Sequence, residues 1–327
     1  MAGGSQILYL SRADVEAARV TMASILSALE IAFREKGEGR TEMPPKPGVH
    51  PGSPDNFIHA MPAWIPALRS AGLKWVSGFP ENSRRGLPYI SGLLVLNDPD
   101  TGIPTAVMDC TWITAMRTGA ASALSARYLA RPDSRVLGVL GCGVQGRTHA
   151  EALRLVLPGL VELRAYDVDA ARAARYADDM AARHGYAAAA VESPRQAVTG
   201  CDVVVTAGPI LTTPHATIKA GWLEPGAFAA AVDYDSYWDP AALAELDKFT
   251  TDDTPQLLRV REGGAFRAIP PIHADLGELA TGRKPGRERA DERTMACNLG
   301  LALDDMAVAP LVVAAATERG LGVLLPL

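Results

Sequence analysis

The sequence predicts an α/β protein in which a doubly wound, parallel-sheet domain is inserted into a second, mixed α/β domain. Three features carry this. From Arg131 onward, short apolar strands alternate with helices. Before that point, strands are joined by tight turns in hairpin fashion. Near the C-terminus a long apolar helix is placed to return the chain to the first domain. Near-continuous apolar strands separated by helices mean a parallel sheet covered on both faces. The expected boundaries put residues 1–128 and 306–327 in the outer domain and 129–305 in the insertion. A chain of 327 residues is long enough for two cores.

In order, "QILYL" reads as a strand. "SRADVEAARVTMASILSALEIAFREKGEG" reads as helix, with Ser11 as N-cap and Gly37 near its stop. The Pro- and Gly-rich "RTEMPPKPGVHPGSPDN" reads as loop. "FIHAMPAW" and "GLKWVSGF" read as strands, and "ISGLLVLND" and "IPTAVMD" as a hairpin around "PDTG". A small-residue helix follows over residues 113–130. In the insertion, strands fall at "RVLGVLG", "VELRAYDVD", "AAAAVES", "DVVVTAG", "GAFAAAVDYD" and "DKFTTDD". Helices fall at "QGRTHAEALRLV", "AARAARYADDMAARHG" and, more briefly, "PRQAVTG". A last helix is expected through "ACNLGLALDDMAVAPLVVAAATERG".

Composition narrows the function. Net charge is −5, 48% of residues are hydrophobic, and no basic block is interleaved with aromatics, which argues against nucleic acid. No apolar run reaches membrane-span length, so no membrane association is expected. The N-terminus lacks the pattern of a secretory signal. The 4 cysteines are scattered and form no C-x-x-C, as in a reduced, cytoplasmic protein. His50, His184, His215 and His273 have no ligand spacing, so no metal is expected.

The chemistry-bearing motif is "VLGVLGCGVQGRTH". It places G-x-G-x-x-G at Gly141, Gly143 and Gly146, after an apolar strand and at the opening of a helix. Asp167 ends the next strand, about twenty residues further on. This is the Rossmann dinucleotide fingerprint in context. Gly141 makes the tight turn, Gly143 lets backbone approach a pyrophosphate, and Gly146 permits close helix–strand packing. The helix N-terminus at Val144 and Gln145 offers unpaired N–H groups. Asp167 accepts from ribose hydroxyls and repels a 2′-phosphate, which favours NAD over NADP. Arg164 and Arg172 lie close enough in sequence to bear on that choice.

The substrate site must come from elsewhere. Lys46, Lys74 and Arg117 are three cations in apolar or rigid settings of the first domain, and a buried cation needs an anion. Arg117 can hold a carboxylate bidentately. Asp233 and Asp235 lie just past a parallel strand, where such sheets bind ligands. The alternatives are structural. Lys46 is then a solvated loop lysine, Lys74 pairs with Glu81, and Arg117 caps a helix C-terminus. Asp304 and Asp305 belong to a helix face or a cofactor edge.

The chain resembles the ornithine cyclodeaminase/mu-crystallin family over nearly its whole length. The resemblance rests on "MPPK", "AMPAW", "LKWVSGFPEN", "LNDPDTGIPTAVMD", "ITAMRTGAASALSARYLA", "LGCGVQGRTH", "GCDVVVTA", "GELATGRKPG" and "LGLALDDMAVA". It implies a Rossmann NAD-binding domain inserted into a substrate-binding and dimerisation domain, and a homodimer. It implies that Lys46, Lys74 and Arg117 bind a substrate carboxylate, with Lys74 also at the reacting centre. Asp235 matches the carboxylate that cyclodeaminases use for the substrate amine, and is acid/base together with Lys74. Cofactor contacts extend to Thr118, Thr206 and Asn298, and Leu299 joins the substrate contacts.

Two departures are visible. His59 stands where ornithine cyclodeaminase has a glutamate, and is either a substrate side-chain contact or a structural histidine. "VDYDSYWDP" replaces a glycine-containing turn, with Tyr234, Tyr237 and Trp238 shaping the pocket. The expected activity is NAD(H)-dependent oxidoreduction at the CH–NH bond of a small amino or imino acid, with a 2-oxo acid as the alternative partner. A cyclodeaminase using NAD catalytically, and a mu-crystallin-like binding protein, are the other readings.

Overall fold

The computed structural model describes residues 6–211 and 213–327. The chain divides into two compact units. One comprises Met1–Arg117 and Leu301–Leu327, the other Thr118–Gly300.

The first unit opens with β1 (Gln6–Leu10), α1 (Arg12–Ala17) and α2 (Met22–Gly37). The one helix expected here is two. Ser11 and Asp14 form a reciprocal capping box at the start of α1, and Thr21 caps α2 by accepting from the Ser24 amide. Between them Arg19 takes a φ of 53°. A second N-cap thus restarts the helix, and α2 buries Ile25, Leu26, Leu29 and Phe33.

The strands are β2 (Gly48–Val49), β3 (Phe57–Ile65), β4 (Ser70–Gly78), β5 (Ile90–Asn97) and β6 (Pro104–Asp109). After β6, the chain passes into the second unit within α3 (Thr111–Leu129). In the second unit come β7 (Val136–Leu140), α4 (Val144–Val156), β8 (Glu162–Tyr166), α5 (Ala170–His184) and β9 (Ala187–Ala190). Next are β10 (Val203–Thr206), β11 (Phe228–Ala231), α6 (Pro240–Leu243), β12 (Lys248–Thr251), α7 (Thr254–Glu262), β13 (Ile272–Asp275), α8 (Leu276–Ala280) and β14 (Thr294–Cys297). The chain then re-enters the first unit as α9 (Ala302–Glu318) and β15 (Val323–Pro326).

The first unit's sheet runs β15-β1-β6-β5-β4-β3-β2. All pairs are antiparallel except β1 with β6. Its buried face carries Met61, Ala63, Ile65, Val76, Leu94, Leu96, Ala106 and Met108, the two-residue period of a half-covered sheet. α9 packs on α2 and on this sheet. The other face leaves Trp75 and Leu93, which are direct cross-strand partners, exposed.

The second unit is an eight-stranded sheet, β13-β12-β14-β11-β10-β7-β8-β9, parallel throughout. Every residue of β10, β11, β12 and β14 is buried, so both faces are covered. The strand order reverses beside β7, between β8 and β10, which is where such sheets place ligands. Residues 296 and 297 were expected at the start of the last helix and instead join Thr294 and Met295. They form β14 because β11 and β12 each supply a parallel partner there; two ladders outweigh local helix propensity. The segment 194–200 is a run of turns, not a helix. No helix among the described residues is long and apolar enough to cross a membrane.

His149 sits wholly buried in α4. Its Nδ1 donates to the Gln145 carbonyl at 2.7 Å and its Nε2 accepts from Ser122 Oγ at 2.9 Å. Burial pushes this imidazole down to about 4. Between pH 6.5 and 4 the unfolded chain therefore takes up a proton that the native state refuses, and stability falls with pH. In denaturant unfolding, the advantage of wild type over His149→Gln is expected to shrink by about 3 kcal/mol between pH 7 and pH 4. A pH-independent difference would show that His149 does not stay neutral.

Candidate active site

Lys74 occupies an apolar position. On β4 it faces the covered side of the sheet, in a cross-strand row with Met61, Leu94 and Met108. It is 1% exposed. An ammonium so placed must meet an anion or lose its proton. The same face of β4 fixes where that anion comes from. Ser70 Oγ donates to the Met306 carbonyl at 2.6 Å, and Gly72 leaves room for the Met306 sulfur, which a Cβ would meet at 3.0 Å. These contacts seat the first turn of α9 over β4. Asp305 Oδ2 then lies 2.5 Å from Lys74 Nζ.

Arg117 belongs to the same cluster. Its Nη1 is 3.3 Å from Asp304 Oδ2 and its Nε 3.3 Å from Asp305 Oδ1. Both aspartates are fully buried. Burial lowers the Lys74 pKa, Asp305 opposes that shift, and the neighbouring Arg117 adds to it. Glu81 pairs with Arg84 instead of Lys74. Sequence reasoning put Asp304 and Asp305 on a helix face or at a cofactor edge. The signal that could have placed them was available: two adjacent acids inside "LGLALDDMAVAPLVVA" are charges in an apolar helix, and such charges are paired.

His59 lies on β3, two residues before Met61, and is half-buried. Its ring stacks on Phe57 at 4.5 Å, and Gly48 lies so close that a Cβ there would overlap the imidazole. Burial first, then the positive charges of Lys46, His50 and Lys74, push His59 down to about 4. It is neutral at physiological pH and feels both Lys46 and Lys74.

In the second unit the glycine turn has the geometry its spacing implies. Gly141 takes φ 100°, and a Cβ there would strike the Ala207 carbonyl, across the switch point between β7 and β10. A Cβ on Gly146 would strike the Gly141 carbonyl at 2.4 Å, so close packing requires glycine. Around Gly143 the space is open. Gly143 is the N-cap of α4 and supplies no side-chain cap, and Val144 is exposed. The amides of this turn thus have room for a phosphate. Asp167 accepts from the Cys142 amide at 2.9 Å and the Asp169 amide at 3.0 Å, which aims it beside the turn. Arg172 stands 3.6 Å from it, whereas Arg164 is taken by Glu162 and the Thr199 carbonyl.

Past β11, Asp233 is buried between Thr206 Oγ1 at 2.7 Å and the Gly208 amide at 2.9 Å, and burial raises its carboxyl to about 7. Thr206 also accepts from Trp238 Nε1 at 3.3 Å, so its hydroxyl is engaged within the protein. Tyr234 takes φ 62°, and Asp235, half-buried, accepts from the Phe266 amide at 2.9 Å. Asn298 donates to Ser125 Oγ at 3.2 Å. Its Oδ1 is buried with no hydrogen-bond partner among the described residues, as suits a residue that receives a ligand amide. Leu299 and Thr118 are buried.

These features define a dinucleotide-binding α/β protein whose first unit carries a cluster of buried cations and acids. The chain belongs to the ornithine cyclodeaminase/mu-crystallin family, whose model matches residues 6–320. It is similar to the Delta(1)-pyrroline-2-carboxylate reductase of Thermococcus litoralis in complex with NADH and L-proline (33% identity, 97% of this chain and 99% of that one, TM-score 0.87). An archaeal alanine dehydrogenase dimer with bound NAD aligns at 35% identity over 98% and 99% of the two chains, with a TM-score of 0.87. A lysine cyclodeaminase that recognises L-lysine, L-ornithine and L-2,4-diaminobutyric acid aligns at 30% identity over 99% and 96%, with a TM-score of 0.84.

The buried ion cluster makes a stability prediction. Lys74→Met fits the apolar row but leaves Asp305 short of a cation, and is expected to cost about 3–5 kcal/mol in denaturant unfolding. Adding Asp305→Asn should recover part of that loss; strictly additive losses would show that the two groups are not coupled.

Proposed function

We propose that the protein is an NAD(H)-dependent oxidoreductase acting on the CH–NH bond of a small α-amino or α-imino acid, as an imine or ketimine reductase or an amino-acid dehydrogenase. The observation that carries this is the buried Lys74–Arg117 pair in one unit of a chain whose other unit holds a glycine-built dinucleotide turn. When bound, NADH supplies a hydride to the imine carbon, and NAD accepts one from the amine-bearing carbon. Gly141, Gly143, Val144, Gln145 and Gly146 form the phosphate turn, Asp167 takes the ribose, and Thr118 and Asn298 complete the cofactor site, while Thr206, expected among these contacts, has its hydroxyl committed to Asp233 and Trp238. Arg117, Lys74 and Lys46 hold the α-carboxylate, which fixes the α-carbon for transfer. Lys74 and Asp235 move the proton at the nitrogen. His59 and Leu299 contact the substrate side chain, and a neutral His59 suits an uncharged or hydrogen-bonding group.

A second reading is favoured by Asp235 and by the likeness to lysine cyclodeaminase: NAD used catalytically, with ammonia released from ornithine or lysine. A homodimer is also proposed. Trp75 and Leu93 form an exposed apolar pair on the first unit's sheet, and β15 exposes Val323, Leu324 and Leu325.

The deciding experiment follows reduced-nicotinamide absorbance. The substrates are Δ1-pyrroline-2-carboxylate, Δ1-piperideine-2-carboxylate, and pyruvate, glyoxylate or oxaloacetate with ammonia or methylamine. Ornithine and lysine with NAD are scored for ammonia in parallel. NADH oxidation with an imine is the expected result; ammonia without net cofactor change makes the cyclodeaminase reading correct.

Arg117→Ala should raise KM and lower kcat/KM by roughly 2–4 kcal/mol while keeping NADH affinity; unchanged kinetics would remove Arg117 from the carboxylate. Asp167→Ala should weaken NADH and spare NADPH, and an equal loss of both would contradict the ribose role.

A further inference from the structure

We infer that Asp305 and Asp304 are positioning residues for substrate binding: Asp305 keeps Lys74 a cation and aims it, and Asp304 fixes the plane of Arg117. This rests on the reading of Lys74 and Arg117 as carboxylate-binding groups.

The argument begins with α9. Its first turn carries both acids, where the helix dipole favours negative charge. Asp304 Oδ2 accepts from the Leu301 amide at 3.1 Å and also meets Arg117 Nη1. The helix start and the guanidinium are thereby held by one oxygen. Asp305 divides its two oxygens, Oδ2 to Lys74 and Oδ1 to Arg117 Nε. The two acids thus set the spacing of the two cations. They also leave the cluster neutral before a ligand arrives, so a substrate carboxylate enters beside balanced charge.

Lys74 is the member that can lose its charge, because a guanidinium keeps its proton at any working pH. The groups acting on it are Asp305 from α9, Arg117 from α3, Cys110 just before α3, and His59 across from β3. Arg117 disfavours the ammonium. The Cys110 thiol is pushed by burial up to about 11 and stays neutral, as does His59. Of these groups Asp305 supplies the negative charge that opposes desolvation.

The test uses the full-length enzyme and Asp305→Asn, with Asp304→Asn beside it. NADH binding and thermal unfolding check the fold. In Asp305→Asn the alkaline limb of kcat/KM is expected to move down by one pH unit or more. The 15Nζ resonance of Lys74 in lysine-labelled apoenzyme, assigned by loss in Lys74→Met, is expected to titrate at correspondingly lower pH. In Asp304→Asn the limb should stay, while KM rises about tenfold through a misoriented Arg117. A folded Asp305→Asn enzyme whose limb and Nζ titration match wild type would overturn the inference. So would a wild-type Lys74 that is already a neutral amine at pH 7, which requires no variant. Failure of wild type to turn over any imino acid would instead count against the functional reading, and the Nζ titration would still decide the role of Asp305.

Discussion

An ammonium group inside an apolar sheet row is the constraint around which the first unit is organised. Lys74 is flanked along the row by Met61 and Leu94 and has lost nearly all contact with solvent. Its charge is retained only if an anion is delivered to the same depth. The anion comes from α9, more than two hundred residues later in the chain. Ser70 and Gly72, on the same face of the same strand, hold that helix in place through Met306. The pair therefore closes the first unit by joining its N-terminal sheet to its C-terminal helix.

Such a cluster is poor as a source of stability, since replacing buried ions with apolar groups often costs nothing. Its value lies in geometry. Two cations held by two acids have fixed separation and few rotamers to lose on binding a planar carboxylate. The second unit shows the same economy with backbone in place of charge. Gly141 and Gly146 are glycine because a Cβ would strike carbonyls, whereas Gly143 is glycine with open space beside it. The first two shape the turn, and the third leaves its amides accessible.

The polar network past β11 is a further departure from simple packing. Asp233, Thr206, Trp238 and the Gly208 amide bind one another, so the turn bearing Tyr234 and Asp235 is fixed from within. The sequence showed acids and aromatics past a strand end. It did not show that Asp233 faces into the protein while Asp235, two residues on across a positive-φ Tyr234, meets the Phe266 amide.

The sequence by itself determined what local periodicity and short spacing can encode: the parallel αβ alternation, the β5–β6 hairpin, the glycine turn with Asp167 at its side, and the need of Lys74 and Arg117 for anions. These are properties of neighbours along the chain. The tertiary structure decided what depends on distant partners. β14 became a strand because β11 and β12 flank it, and α1 and α2 separated at a cap that the apolar pattern runs across. Asp304 and Asp305 became the counter-ions because Ser70, Gly72 and Met306 bring α9 onto β4. A charge states in the sequence that it requires a partner; only the packed chain states which one, because the choice is made by which backbone can approach.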